Sequence, residues 1–322
     1  MTRPASTMIK KVERYVIHRR SLGYVYESES RRLRSFARYA DQYAPGQPLT
    51  IDLAIRWVTT SKGTRAYHAN LLHTLRTFAR YLITFEPRTE IPPLRLLGPG
   101  HQRVPPHLYT SREIAALIHK SLMYRPYRQR DAHIGMRNAT LIGLLACTGL
   151  RIGEALAFQN RDVDLTHGIL TVRCSKNLPM RLVPITPCAV DHLRRFVEAR
   201  DKHFGPSGDT EHFFRSPRGG HIGYRVMCTA FRRLCQQAGL LKAWGRHPRM
   251  HELRHTFACK HLLRAYRENR NIDNAVHELS IYLGHTGLAH TYWYLSAVPA
   301  LLEHCANRFE AQTRQPRKGG RS

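Results

Sequence analysis

Gly168-Ile169-Leu170-Thr171-Val172-Arg173 and Arg181-Leu182-Val183-Pro184-Ile185 interrupt a chain whose apolar residues otherwise recur at helical spacing. Both runs are rich in β-formers, with Asn177-Leu178-Pro179 between them, and together they predict a β-hairpin. Upstream, Thr110 is placed to cap a first turn while Glu113 reaches back to the same residue, so a helix opens there and runs through Leu117. A second helix is expected over Met136 to Cys147, stopped by Gly149, and a third over Arg151 to Phe158. Downstream, helical patterns cover Ala189 to Phe204, Arg225 to Ala238, His251 to Tyr266 and Asp273 to Leu283. The second part of the chain, 107–312, is therefore expected to be a mixed α/β domain in a mainly α fold with a small β-sheet or hairpin.

The first 85 residues read as helices alone. Thr7 to Leu22, Glu27 to Tyr43, Ile51 to Val58 and Thr64 to Phe85 each carry one apolar stripe, which suggests a small bundle. Arg31, Arg32, Arg34, Arg65, Arg76 and Arg80 fall between the stripe positions and are expected to face outward, some of them toward phosphates. Residues 86–106 hold Pro87, Pro92, Pro93, Pro99, Pro105 and Pro106, which reads as an extended linker and domain boundary. Residues 313–322 read as a basic tail.

Lys and Arg number 51 and Asp and Glu 23, a net charge of +28 over 322 residues. Such an excess repels itself in a folded chain and points to a polyanion as partner. Nucleic acid leads. An anionic membrane surface would call for a basic helix with a clean Trp/Phe/Leu face, and no segment has one. No apolar signal core precedes Arg20, and the longest apolar run, Ala139 to Leu150, is too short to span a bilayer. The seven cysteines are scattered without a CxxC pair, so neither a disulfide framework nor a cysteine zinc site is indicated. A reducing cytoplasm, in association with the nucleoid, is the expected location.

Four local patterns carry chemistry. In Thr148-Gly149-Leu150-Arg151-Ile152-Gly153-Glu154 a turn feeds a helix on which Arg151 and Glu154 share a face. Lys176 sits near the tip of the hairpin, a mobile ammonium able to bind phosphate or donate a proton. In His251-Glu252-Leu253-Arg254-His255-Thr256-Phe257, His251 and Arg254 share a helical face. In Leu283-Gly284-His285, Gly284 ends a helix and aims His285 out of it, and an aromatic cluster, Tyr292-Trp293-Tyr294, follows.

These patterns resemble the tyrosine recombinase (phage integrase) family. That family shows Thr-Gly-Leu-Arg-x-x-Glu, a hairpin Lys five residues before Arg-x-Val-Pro, His-x-Leu-Arg-His-(Thr or Ser)-Phe-Ala, and Leu-Gly-His followed nine residues later by Tyr. All four occur here in order. The resemblance implies that Arg151, Lys176, His251, Arg254, His285 and Tyr294 are catalytic, with Tyr294 the nucleophile, and that no cofactor or metal is used. It places Tyr294 rather than Tyr292 in that role, leaving Tyr292 as packing and His255 as a buried, hydrogen-bonded helix residue. It further implies that residues 1–85 form a core-binding, DNA-binding bundle and 107–312 the catalytic domain, the two clamping double-stranded DNA. A helix over Val298 to Phe309 would join four copies into a homotetramer on two DNA sites, and accessory DNA-bending or directionality proteins are further expected partners. The reaction implied is site-specific recombination through a 3′-phosphotyrosyl intermediate, without ATP.

Three other readings compete. A type IB topoisomerase resembles the same catalytic domain and would relax one duplex. His251-Glu252-Leu253-Arg254-His255 also fits H-E-x-x-H, a zinc hydrolase helix. That reading leaves Arg151, Lys176, Tyr294 and the charge unexplained and sets the cation Arg254 inside the metal helix. A DNA-binding protein without catalysis would need the basic surface but not a complete set of reactive residues.

Overall fold

The computed structural model describes residues 7–98, 105–125, 131–173, 180–241, 247–285, 287–288, 291–292 and 294. The chain divides into two compact units, 1–104 and 105–322.

The first unit is built from α1 (Met8–Ser21), α2 (Glu27–Tyr43), α3 (Ile51–Thr60) and α4 (Arg65–Leu82). Their stripes meet in one core that includes Val12, Leu33, Phe36, Trp57, Leu75 and Phe78. The free N–H groups that open α1 are capped across the bundle: the Asp41 carboxylate accepts from Met8 N at 2.7 Å and Ile9 N at 3.1 Å. Thr50 and Thr64 cap α3 and α4 with their own hydroxyls. Residues 86–98 lie along this bundle, where Glu90 N donates to Leu49 O at 2.8 Å and Glu90 Oε2 accepts from Ile51 N at 2.7 Å.

The outward reading of six arginines holds for half of them. Arg31, Arg65 and Arg80 are exposed. Arg32, Arg34 and Arg76 are half-buried and have partners inside the bundle. Arg34 forms a two-pronged ion pair with Glu13 at 2.6 and 3.0 Å, Arg76 donates to Pro92 O, and Arg32 reaches Thr74 Oγ1 at 3.4 Å. Those partners lie on other segments of the same unit, which spacing alone does not reveal.

The second unit is mostly helical around a small sheet. It contains α5 (Ser111–Leu122), α6 (Ile134–Thr148), α7 (Ile152–Ala157), α8 (Pro187–Phe204), α9 (Tyr224–Gln237), α10 (His251–Arg267) and α11 (Ile272–Leu283). The capping box at Thr110 is formed: Thr110 Oγ1 accepts from Glu113 N at 3.2 Å, and Glu113 Oε2 accepts from Thr110 N at 2.7 Å. The predicted hairpin is β2 (Ile169–Val172) against β3 (Arg181–Pro184), antiparallel, with Leu170 opposite Val183 and Val172 opposite Arg181. A short strand missing from the sequence reading, β1 (Val163–Asp164), adds to β2, so the hairpin is two strands of a three-stranded sheet. Two residues are too few to show an alternation. Leu170, Val172 and Val183 enter the main core with Leu141, Leu145, Phe196 and Phe214. Ala258, Cys259, Leu262, Leu279, Leu283 and Tyr294 form a second core between α10 and α11. Among the described residues no helix is long and apolar enough to cross a membrane.

Thr110→Ala is expected to lower the stability of the second unit by about 1 kcal/mol, because it strips one N-cap acceptor and frees its box partner. Urea unfolding checks this. The midpoint should fall with the slope unchanged, and an unchanged midpoint would contradict the cap's role.

Candidate functional site

Two helices end on glycine beside each other, and the site is organised around those ends. Gly149 closes α6 at φ 63° and Gly284 closes α11 at φ 64°, both left-handed conformations that cost other residues energy. A side chain at Gly149 would also meet Phe257 Cδ1 at 2.5 Å, and one at Gly284 would meet the Arg181 guanidinium at 2.9 Å. The last carbonyls of a helix carry partial negative charge and lack intrahelical partners, so cations complement them. Arg254 does so from α10. Its Nη1 donates to Gly149 O at 2.8 Å and its Nη2 to Leu283 O at 2.7 Å. Arg151 takes the next carbonyl, donating from Nη2 to Gly284 O at 3.1 Å.

Arg254 is only 2% exposed. Burial, followed by repulsion from Arg151, pushes its pKa down to about 10, so it stays a cation at neutral pH. Arg151 stands at the N-cap of α7 with about a third of its side chain exposed. Glu154 accepts from its backbone N–H and from its Nη1, both at 2.9 Å. Glu154 is buried, and burial alone would raise its pKa. The Arg181 fork, the Arg151 N–H and the charges behind them outweigh that and hold it below the ordinary value.

His251 is the first residue of α10 and keeps an exposed edge. Crowding of its ring, then Arg254, Arg249 and Arg151, lowers its pKa, so it is neutral at pH 7 and fit to accept a proton. His285 leaves α11 after Gly284, as the sequence reading expects, and its Nδ1 lies 2.7 Å from Thr291 Oγ1. Tyr294 is buried, its ring stacked on His285 at 5.9 Å and edge-on to His255 at 5.2 Å. Burial raises its pKa, opposed by the charge and hydrogen bonding of Arg254 and by the charge of Arg151. The cationic surroundings therefore favour phenolate, but burial outweighs them.

Arg151, His251, Arg254, His285 and Tyr294 thus gather at one place, on α7, α10 and the segment after α11. Lys176 lies outside the described residues, as do residues 298–309. Two secondary expectations need correcting. Tyr292 is exposed, not packed, and its hydroxyl donates to Asp273 Oδ1 at 3.3 Å. His255 is half-buried between the rings of His251 and Tyr294, because the face it shares with His251 borders the open site rather than the core.

The H-E-x-x-H reading meets a different geometry. Glu252 is fully buried, its carboxylate accepting from Arg249 N at 2.8 Å at the start of α10. Among the described residues no group of three His, Cys, Asp or Glu side chains is placed to hold a metal ion.

Arg181 belongs to the site, though the sequence holds it only as a hairpin residue and as the first of the Arg-x-Val-Pro pattern, with no role of its own. Its Nη1 and Nη2 donate to the two Glu154 oxygens at 3.1 and 2.8 Å, and its Nε to Tyr282 O at 3.0 Å. The signal was parity. Arg181 shares the inward face of β3 with Val183, and a cation at an inward strand position needs a buried partner.

Comparison with known proteins bears on the family and the fold. The family model described as "Phage integrase family" matches residues 110–300. A Sinorhizobium fredii protein named as an integrase/recombinase, y4rB, is 34% identical over 310 residues, covering 95% of this chain and 98% of its own length. Among solved structures, the Tn1549 transposon integrase in complex with transposon right-end DNA aligns over 96% of this chain and 100% of its own, with TM-score 0.68 and 16% identity. A lambda integrase tetramer bound to a Holliday junction aligns over 90% and 77%, with TM-score 0.63 and 18% identity. At those identities the structures speak for the fold.

Two measurements test this arrangement. Gly149→Ala is expected to cost at least ~1 kcal/mol for the left-handed conformation alone, with displacement of Phe257 adding to it. A urea midpoint equal to that of the unchanged chain would contradict this. The lowered pKa of His251 contributes stability above the unfolded imidazole value, and that contribution is lost as pH falls through the folded value. His251→Gln should therefore lose less stability than the unchanged chain between about pH 7 and pH 5. Parallel losses would show that His251 titrates as it does in the unfolded chain.

Proposed function

The chain belongs to the phage integrase family, and from that premise we propose that it is a site-specific DNA recombinase that cuts and rejoins strands through Tyr294. What carries the reading is the gathering of two guanidinium groups, two imidazoles and one tyrosine at the ends of α6 and α11.

A phosphodiester carries one negative charge and its pentacoordinate transition state more. Arg151 and Arg254 present planar forks to the nonbridging oxygens, and His285 adds a donor. Preorganised donors of this kind each contribute roughly 2.7–4 kcal/mol to such a transition state. The Tyr294 oxygen attacks phosphorus and the bond to the 5′ oxygen breaks, giving a 3′-phosphotyrosine and a free 5′-hydroxyl. Because burial keeps the phenol protonated, it needs a base, and His251, neutral and at the edge of the site, takes that proton. Lys176 supplies the proton to the leaving 5′ oxygen. Attack by a 5′-hydroxyl from a second duplex reseals the strand. The linkage keeps the phosphodiester's energy, so no ATP is called for, and the two guanidinium groups take the charge-stabilising part that a metal would otherwise play.

The helical unit serves as the core-binding domain and the second unit as the catalytic domain. Arg31, Arg65 and Arg80, exposed on the bundle, are the arginines among the six suited to phosphates. Four copies assemble on two DNA sites through the segment over Val298 to Phe309, with DNA-bending or directionality proteins as further partners. This agrees with the joined-duplex state named for the lambda integrase tetramer.

Supercoiled plasmid carrying the DNA that flanks the gene, incubated with EDTA and quenched with SDS, should yield covalently bound protein. Tyr294→Phe should abolish the adduct. Arg254→Gln should slow its formation on the order of a hundredfold to a thousandfold. Adduct formation that persists in Tyr294→Phe, or that EDTA suppresses, would contradict the proposal.

A further inference from the structure

Glu154 presents a problem of charge. Its side chain is 2% exposed, and it sits against Arg151, the residue whose charge the reaction needs. A buried carboxylate paired with a single guanidinium forms a neutral unit, and it holds that guanidinium toward itself. Arg151 would then offer little charge to a phosphate. The structure holds a second cation at the same carboxylate. Arg181 approaches from β3 with both terminal nitrogens, its side chain 12% exposed. Its two bonds to Glu154, with the Arg151 N–H and the Arg151 Nη1, account for four donors on two oxygens, the full capacity of a carboxylate.

We propose that Arg181 is a positioning residue that neutralises Glu154, so that Glu154 orients Arg151 without cancelling its charge. The triad Arg181–Glu154–Arg151 carries two positive charges and one negative, and the remaining positive charge lies on the more exposed member, Arg151. The same guanidinium fixes a second part of the site. Its Nε bond to Tyr282 O, and its contact with the Gly284 position, tie β3 to the end of α11 from which His285 emerges. One side chain therefore sets Arg151 and the approach to His285 in register. Lysine cannot replace it fully, since one ammonium cannot span two carboxylate oxygens and a carbonyl in these directions.

The inference rests on the recombinase reading, and its test separates the two. Single-turnover adduct formation is measured on a duplex carrying the DNA that flanks the gene, with the unchanged chain and Tyr294→Phe as controls. Each chain is also tested on the same duplex with sulfur as the bridging 5′ atom, a leaving group that needs no proton. Arg181→Met should slow cleavage about 10–100-fold, the scale at which supporting groups act on an active site. DNA affinity should change little. The defect should persist on the sulfur substrate, because the missing element is charge on Arg151 and not the acid. Adding Glu154→Gln to Arg181→Met should recover about tenfold of the loss, since removing the carboxylate's charge frees Arg151 again. Arg181→Lys should fall between, and it stands in if Arg181→Met does not fold. A purely architectural role predicts no recovery in the double variant, and that result overturns the proposal. So does an Arg181→Met rate equal to that of the unchanged chain, or full rescue by sulfur. An adduct that survives Tyr294→Phe would strike the nucleophile assignment instead, and no adduct from the unchanged chain would overturn both.

Discussion

A cation taken out of water and held between two helix ends is the constraint on which the site depends. Desolvating a guanidinium costs several kcal/mol, and no carboxylate bonds Arg254 directly among the interactions described. The carbonyls of Gly149 and Leu283 offset that cost, because the ends of α6 and α11 concentrate partial negative charge where donors are lacking. For both carbonyls to reach one planar fork, the two helices must stop side by side and turn sharply. Glycine at 149 and 284 permits the turn and leaves room for Phe257 and Arg181. Arg151 and His285 then fall beside Arg254 because each follows one of these glycines by one or two residues.

Electrostatics at the site is arranged by burial as much as by charge. Arg254 is acidified toward 10 yet remains charged, His251 is held neutral, and Tyr294 is kept protonated against the pull of two arginines. On the proposed function this is a resting arrangement for phosphoryl transfer. Under the proposed chemistry Arg254 is a donor already desolvated, Arg151 keeps an open edge for a phosphate, and Tyr294, the proposed nucleophile, stays a phenol stacked on His285 until a base acts on it.

Much of this was legible in sequence, for physical reasons that can be named. Helices with one apolar face announced themselves by period, and Gly149 and Gly284 marked ends because their conformation favours glycine. The capping box at Thr110 was readable because both of its bonds are local. What stayed hidden was non-local. The pairing of Arg34 with Glu13 and of Arg76 with Pro92 crosses the bundle, so six similar arginines could not be sorted from spacing. Tyr292 and Tyr294 were distinguished by motif, yet that Tyr292 faces solvent and Asp273 follows only from how the segment docks on α11. Arg181 was half visible: its parity with Val183 marked it as inward, but its partner lies 27 residues away.

Locating the covalent bond itself is the most direct test of the central claim. The adduct formed on flanking DNA can be digested with nuclease and protease, and the peptide bearing the residual nucleotide fragmented by mass spectrometry. Both tyrosines lie in the same short stretch, so fragmentation between them distinguishes one from the other. The account predicts a 3′-phosphonucleotide on the buried Tyr294. A nucleotide on the exposed Tyr292, or a linkage through the 5′ phosphate, would contradict it.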